Sequence, residues 1–137
     1  MKPLLVEFQL DPETNGWTAT MPAVPAIVTQ GKTLKEAHER VRAALSLVRD
    51  DAADVVLQGR TVWHSAMGIS NEALQVVQIE ADLRVQALDI EAQLESATVQ
   101  AVQVLVREER QTYRAAGSLL GISHQRVEQI DKNVASE

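Results

Sequence analysis

The chain lacks cysteine altogether, which excludes disulfides and thiolate metal sites and makes a cytoplasmic location the default expectation. No apolar run approaches the length that spans a bilayer, and the opening MKPLLVEF turns acidic too soon for a secretory signal, so no membrane association is expected. Histidine is scarce. His38, His64 and His124 form no i, i+4 pair, so no metal site is expected, and His38 reads as a boundary residue beside an apolar helical stripe. Glu36 and Glu39 point in different directions on one helix, and Ser65 has no Gly-x-Ser-x-Gly setting. Neither a catalytic centre nor a cofactor is expected.

Basic residues are outnumbered, giving a net charge of −6, but the excess acid is localised. Residues 69–106 hold Glu72, Glu80, Asp82, Asp89, Glu91 and Glu95 against Arg84 alone. Beyond them, Arg107, Arg110, Arg114, Arg126 and Lys132 are balanced by Glu108, Glu109, Glu128, Asp131 and Glu137. A nearly neutral module of this kind predicts modest affinity for a polyanion per copy, and hence a need for more than one copy.

What the sequence has is a 45% hydrophobic composition, enough for a buried core. Leu4, Val6, Phe8 and Leu10 alternate with Leu5, Glu7 and Gln9, which predicts a half-buried strand. DPETNG, residues 11–16, is a turn leading into a hairpin partner over Trp17–Met21, and Ala26–Gln30 reads as a third strand after the interruption Pro22-Ala23-Val24-Pro25. Thr33 and Glu36 form a capping box before a helix with the apolar stripe Leu34, Ala37, Val41, Ala44, Leu45 and Val48. A fourth strand is expected around Gln58-Gly59. Residues 1–64 therefore form an α+β unit in the order β-β-β-α-β.

The sequence of features Asn15-Gly16-Trp17, Pro22-Ala23-Val24-Pro25-Ala26, Val28-Thr29-Gln30-Gly31, Thr33 and Glu36-Ala37 resembles the N-terminal domain of HicB-type antitoxins. The resemblance covers roughly the first third of the chain, with Ala26 standing where the family prefers glycine. It implies a partial ferredoxin-like domain that binds and blocks a small HicA-type RNA-cleaving toxin, and a C-terminal DNA-binding module that represses the toxin–antitoxin operon. The edge near Ala26–Gln30 and the helix Thr33–Arg49 are candidate toxin contacts.

Residues 65–110 read as a linker and a long helical segment. From Ile69 to Ala116 there is neither glycine nor proline, and Leu83, Ala87, Ile90, Leu94, Ala97, Ala101 and Val104 recur at spacings of four and three. Such a seam predicts pairing of the chain with itself, as a homodimer or a higher even oligomer. Residues 69–110 are open to one helix or to two divided near Ser96-Ala97-Thr98, where weaker helix formers begin.

Residues 111–132 read as a helix-turn-helix, followed by a tail over 133–137. Thr112 caps a helix Tyr113–Leu120, Gly121-Ile122 turns, and Ser123 caps a second helix from His124. Ala116 and Gly117 allow close approach, with Leu120, Ile122, Val127 and Ile130 as the seam. Ser123, His124, Gln125, Arg126 and Gln129, with Thr112 and Arg114 on the preceding helix, are the expected DNA contacts, Arg126 suiting guanine or phosphate and the glutamines adenine. Two rival readings stand beside the antitoxin. One is a stand-alone regulator with a sensing or dimerising N-terminal domain. The other is an RNA-directed enzyme, against which the lack of a carboxylate cluster for two metal ions speaks.

Overall fold

In the computed structural model, which describes residues 3–63 and 68–136, a four-stranded mixed sheet is followed by helices. His64, Ser65 and the expected boundary at residue 64 lie outside the described residues. Strand β1 (Leu4–Leu10) pairs antiparallel with β2 (Trp17–Thr20), aligning Leu10 with Trp17 and Phe8 with Ala19. Asn15, at φ 57°, makes the turn, as asparagine does at little steric cost. Strand β3 (Val28–Gly31) adds antiparallel to β2, and β4 (Leu57–Val62) adds parallel to β1, giving the order β3-β2-β1-β4.

The third strand starts two residues later than the sequence suggests. Met21–Ile27 is spent on turns closed by Val24 N–H to the Met21 carbonyl and Ile27 N–H to the Val24 carbonyl. Helix α1 (Leu34–Val48) covers one face of the sheet, burying Leu34, Ala37, His38, Val41 and Leu45 against Val6, Phe8 and Ala19. Val48, assigned to the stripe, is exposed, because the helix ends there beyond the sheet-facing turn. Thr33 caps α1 by accepting from Glu36 N–H at 3.1 Å, but the Glu36 carboxylate pairs with Arg40 instead of closing the box. Gly31 permits the tight approach of α1: a Cβ there would stand 2.4 Å from the Ala37 nitrogen.

Helix α2 (Asn71–Val102) is continuous, followed by a π-helical segment at Gln103–Glu108. Of the two alternatives, no break falls near Ser96. Thr98 stays helical with its hydroxyl donating to the Leu94 carbonyl at 2.8 Å, a satisfied partner one turn back. The irregularity falls later, where the wider π turn takes up the β-branched run.

The first part of α2 seals the outer edge of β4. Asp89 Oδ2 accepts the Leu57 N–H at 2.9 Å and Asp82 Oδ1 accepts the Thr61 N–H at 2.7 Å, so two carboxylates satisfy backbone donors that a sheet edge leaves unpaired. Between them Val85 lies over Gly59, where a Cβ would come within 1.9 Å of Val85 Cγ1. Compact units comprise Met1–Gln93 and Leu94–Glu137, so their division falls inside α2. The cause is this edge-sealing, which draws the start of α2 into the first unit. Among the described residues no helix is long and apolar enough to cross a membrane.

Candidate nucleic-acid interface

Helices α3 (Tyr113–Leu120) and α4 (His124–Ala135) begin where the sequence places them, and α4 runs on through most of the expected tail. Each start has a hydroxyl cap: Thr112 accepts from Ala115 N–H and Ser123 from Arg126 N–H, both at 3.1 Å. Gly121 ends α3 in the left-handed region, at φ 71° and ψ 28°, a conformation that glycine adopts freely. The Ile122 N–H then returns to the Gly117 carbonyl at 3.0 Å. Gly117 is required by crowding, since a Cβ would lie 2.8 Å from the Ile122 oxygen. Ala116, Val127, Ile130 and Val102 are buried together, with Tyr113, Leu120 and Ile122 packed around them.

On this base Ser123, His124, Gln125, Arg126 and Gln129 are all exposed, gathered at the amino-terminal end of α4. That end offers backbone N–H groups and the positive end of the helix dipole. Arg126 Nη1 donates to Gln129 Oε1 at 3.1 Å, so two of the five expected contacts hold each other in place. Thr112 and Arg114 are exposed at the start of α3, with the Thr112 hydroxyl already engaged as a cap.

The near balance of charge in this region is not evenly distributed. Arg107 donates to Asp131 at 3.0 Å and Lys132 pairs with Glu128 at 2.7 Å, whereas Arg110, Arg114 and Arg126 make no ion pair among the described residues. Asp131 also accepts from the Tyr113 hydroxyl at 2.8 Å. That hydrogen bond, helped by some burial and by the charges of Asp131 and Glu128, raises the Tyr113 phenol above its ordinary pKa. The same bond, together with Arg107, holds the Asp131 carboxyl below the usual range.

Compared with known protein families, characterised proteins and solved structures, the chain gives no match.

The remaining candidate residues are on α2. Leu83, Ala87, Ile90, Leu94 and Ala97 are exposed, at 58% for Leu83 and 64% for both Ile90 and Leu94; Ala101 is half-buried and Val104 partly exposed. The stripe also extends toward the helix start through Ile79 and Val76, which the sequence reading left out. At the other end of the sheet order, Val28 of β3 is exposed and the Gln30 carbonyl accepts from Arg40 Nη1 at 2.6 Å.

Sequence reasoning missed a buried polar cluster. His38 is buried, not a boundary residue, because its Nε2 lies 3.0 Å from Asp89 Oδ1. Arg42 donates to the same carboxylate and to the Ala52 and Val55 carbonyls, while Gln93 Nε2 donates to Asp89 Oδ2 at 2.7 Å. Burial pushes the Asp89 carboxyl up, but hydrogen bonds from His38, the Leu57 amide and Arg42, with the Arg42 charge, outweigh it and hold the pKa low. The available signal was Asp82 and Asp89 seven residues apart, sharing a helix flank beside the core-facing Ala81, Val85 and Leu88.

Proposed function

We propose that this chain is a sequence-specific DNA-binding repressor acting as a homodimer, and that it serves as a HicB-type antitoxin in the cytoplasm. The DNA-binding part is supported by one observation above the others. A row of polar side chains, Gln125, Arg126 and Gln129 among them, is exposed at the start of a helix whose position is fixed by two hydroxyl caps and a glycine turn. In a helix-turn-helix the second helix enters the major groove by that end, Arg126 meeting guanine or phosphate and the glutamines meeting adenine. Three arginines without carboxylate partners among the described residues supply the attraction to phosphate.

The antitoxin part rests on the resemblance of residues 6–47 to the HicB N-terminal domain, and adds a small toxin as partner. Strand β3 at the sheet edge, next to α1, is the surface proposed for it, since an edge strand accepts an added strand. On this reading the chain binds and performs no chemistry. A stand-alone regulator is the alternative, favoured if no toxin-sized gene lies beside this one.

Co-expression with the neighbouring gene, followed by mass measurement and a gel shift on the upstream DNA, tests both parts. A complex and a shift are expected, and the shift should vanish in the double variant Gln125→Ala, Arg126→Ala with the circular dichroism unchanged. Absence of both complex and shift ends the antitoxin proposal.

A further inference from the structure

Helix α2 carries two apolar faces. Ala81, Val85 and Leu88 pack into the sheet core, while Val76, Leu83, Ile90 and Leu94 lie on the opposite side, Val76 being 68% exposed. From the distribution of residues on the second face we infer that two copies pair through α2 in antiparallel orientation, about a two-fold axis passing between Leu88 and Asp89. The inference rests on the homodimer reading above and specifies its geometry.

Large and small side chains decide the orientation. An antiparallel pair with that axis sets Leu83 against the partner's Leu94, Ile90 against the partner's Ala87, and Val76 against the partner's Ala101. Ala87 and Ala101 each meet a larger residue, and Ala97 meets the partner's Glu80, which a parallel pair would set on a second Glu80. Ala97 and Ala101, with Val104 and Leu105, line a shallow apolar groove that receives the partner's Val76. A parallel pair stacks Ala87 on the partner's Ala87 and Ala101 on the partner's Ala101, leaving layers of methyl groups that cannot fill the space between the helices.

Charge selects the same arrangement. Arg84, which pairs with Glu80 one turn back on its own helix, and Glu91 are exposed on one flank of the stripe, and Gln86 and Gln93, the latter donating to Asp89 of its own chain, occupy the other. Antiparallel pairing brings flank to like flank, so Arg84 meets the partner's Glu91 twice, once on each side of the axis, and the glutamines meet each other. Parallel pairing brings opposite flanks together and leaves both charges facing neutral residues.

The absence of native cysteine allows a direct test. Leu83→Cys and Leu94→Cys proteins are oxidised separately and after mixing and subunit exchange, with mass in solution measured by sedimentation. A dimer mass with a disulfide formed only in the mixture is the expected result. A dimer in which each variant cross-links to itself, or none cross-links, overturns the antiparallel register and leaves the homodimer reading standing. A monomer mass for the unsubstituted protein overturns both. As a second measurement, Arg84→Glu should weaken dimerisation about tenfold, because two symmetric pairs become repulsive together, and adding Glu91→Arg should restore it. Failure of the double variant to recover affinity counts equally against the register.

Discussion

Asp89 on α2 accepts the backbone N–H of Leu57 at 2.9 Å, so a helical carboxylate completes the outer edge of a parallel strand. The same carboxylate is held by His38, Arg42 and Gln93, which ties α1, β4 and α2 together at one buried point. Replacing it by alanine leaves the Arg42 guanidinium without a counter-charge, held only by the Ala52 and Val55 carbonyls, and the Leu57 amide without its partner. Asp89→Ala should therefore cost about 3 kcal/mol, read as a lower urea midpoint, since breaking a buried pair by removing one member is worth that much. A loss below about 1 kcal/mol would mean the cluster is not holding α2 on the sheet.

Asp89 also sets an acid limit. Its carboxyl has a lower pKa in the folded chain than the ~3.9 of an unfolded aspartate, so its stabilisation is fully present above the unfolded value and is lost as pH falls through the folded one. The thermal stability of the native protein should thus fall steadily below pH ~4, and Asp89→Asn should flatten that part of the profile.

The single tyrosine offers an optical reading of the second unit. Tyr113 titrates above its ordinary value because its hydroxyl donates to Asp131, and a phenol raised in this way stabilises the fold below the unfolded pKa of ~10 and ceases to do so as pH rises through the folded one. Absorbance at ~295 nm, where tyrosinate absorbs, should show this shift, and Asp131→Asn should return the titration toward the ordinary value. An unshifted phenol in the native protein would contradict the Arg107–Asp131–Tyr113 clamp.

Packing between α2 and β4 is tested at Gly59. Gly59→Ala places a methyl against Val85 and should destabilise by about 2 kcal/mol, typical of an overfilled core. Adding Val85→Ala should recover part of that loss. Additive losses in the two variants would show that the residues do not share the space.

Thr29 gives a prediction of opposite sign. Its hydroxyl oxygen is buried with no hydrogen-bond partner among the described residues, so Thr29→Val, which keeps the shape and removes the polar atom, should raise stability by about 1 kcal/mol in a urea titration.

Local features were legible in the sequence and long-range polar ones were not. The bounds of β1, α3 and the start of α4 follow from alternation, hydroxyl caps and a glycine turn, each contained within a few residues. Asp89 reads in the sequence as one more acid on a solvated helix, because its partners His38, Arg42 and Leu57 stand 51, 47 and 32 residues away. Arg107 and Asp131 were hidden for the same reason. The π-helical turn carries no glycine or proline to announce it, and the β-branched residues that suggested a break near Ser96 remain helical. For the candidate interface, the exposed row on α4 was readable from helical periodicity, but the mutual hold of Arg126 and Gln129 depends on side-chain conformations that spacing alone leaves open.

The sealing of β4 by α2 leaves the sheet with β3 as its only open side among the described residues. A sheet of this kind grows in one direction only. Joined edge to edge, two copies would exhaust each other's free strand, so the sheet itself extends by one step only.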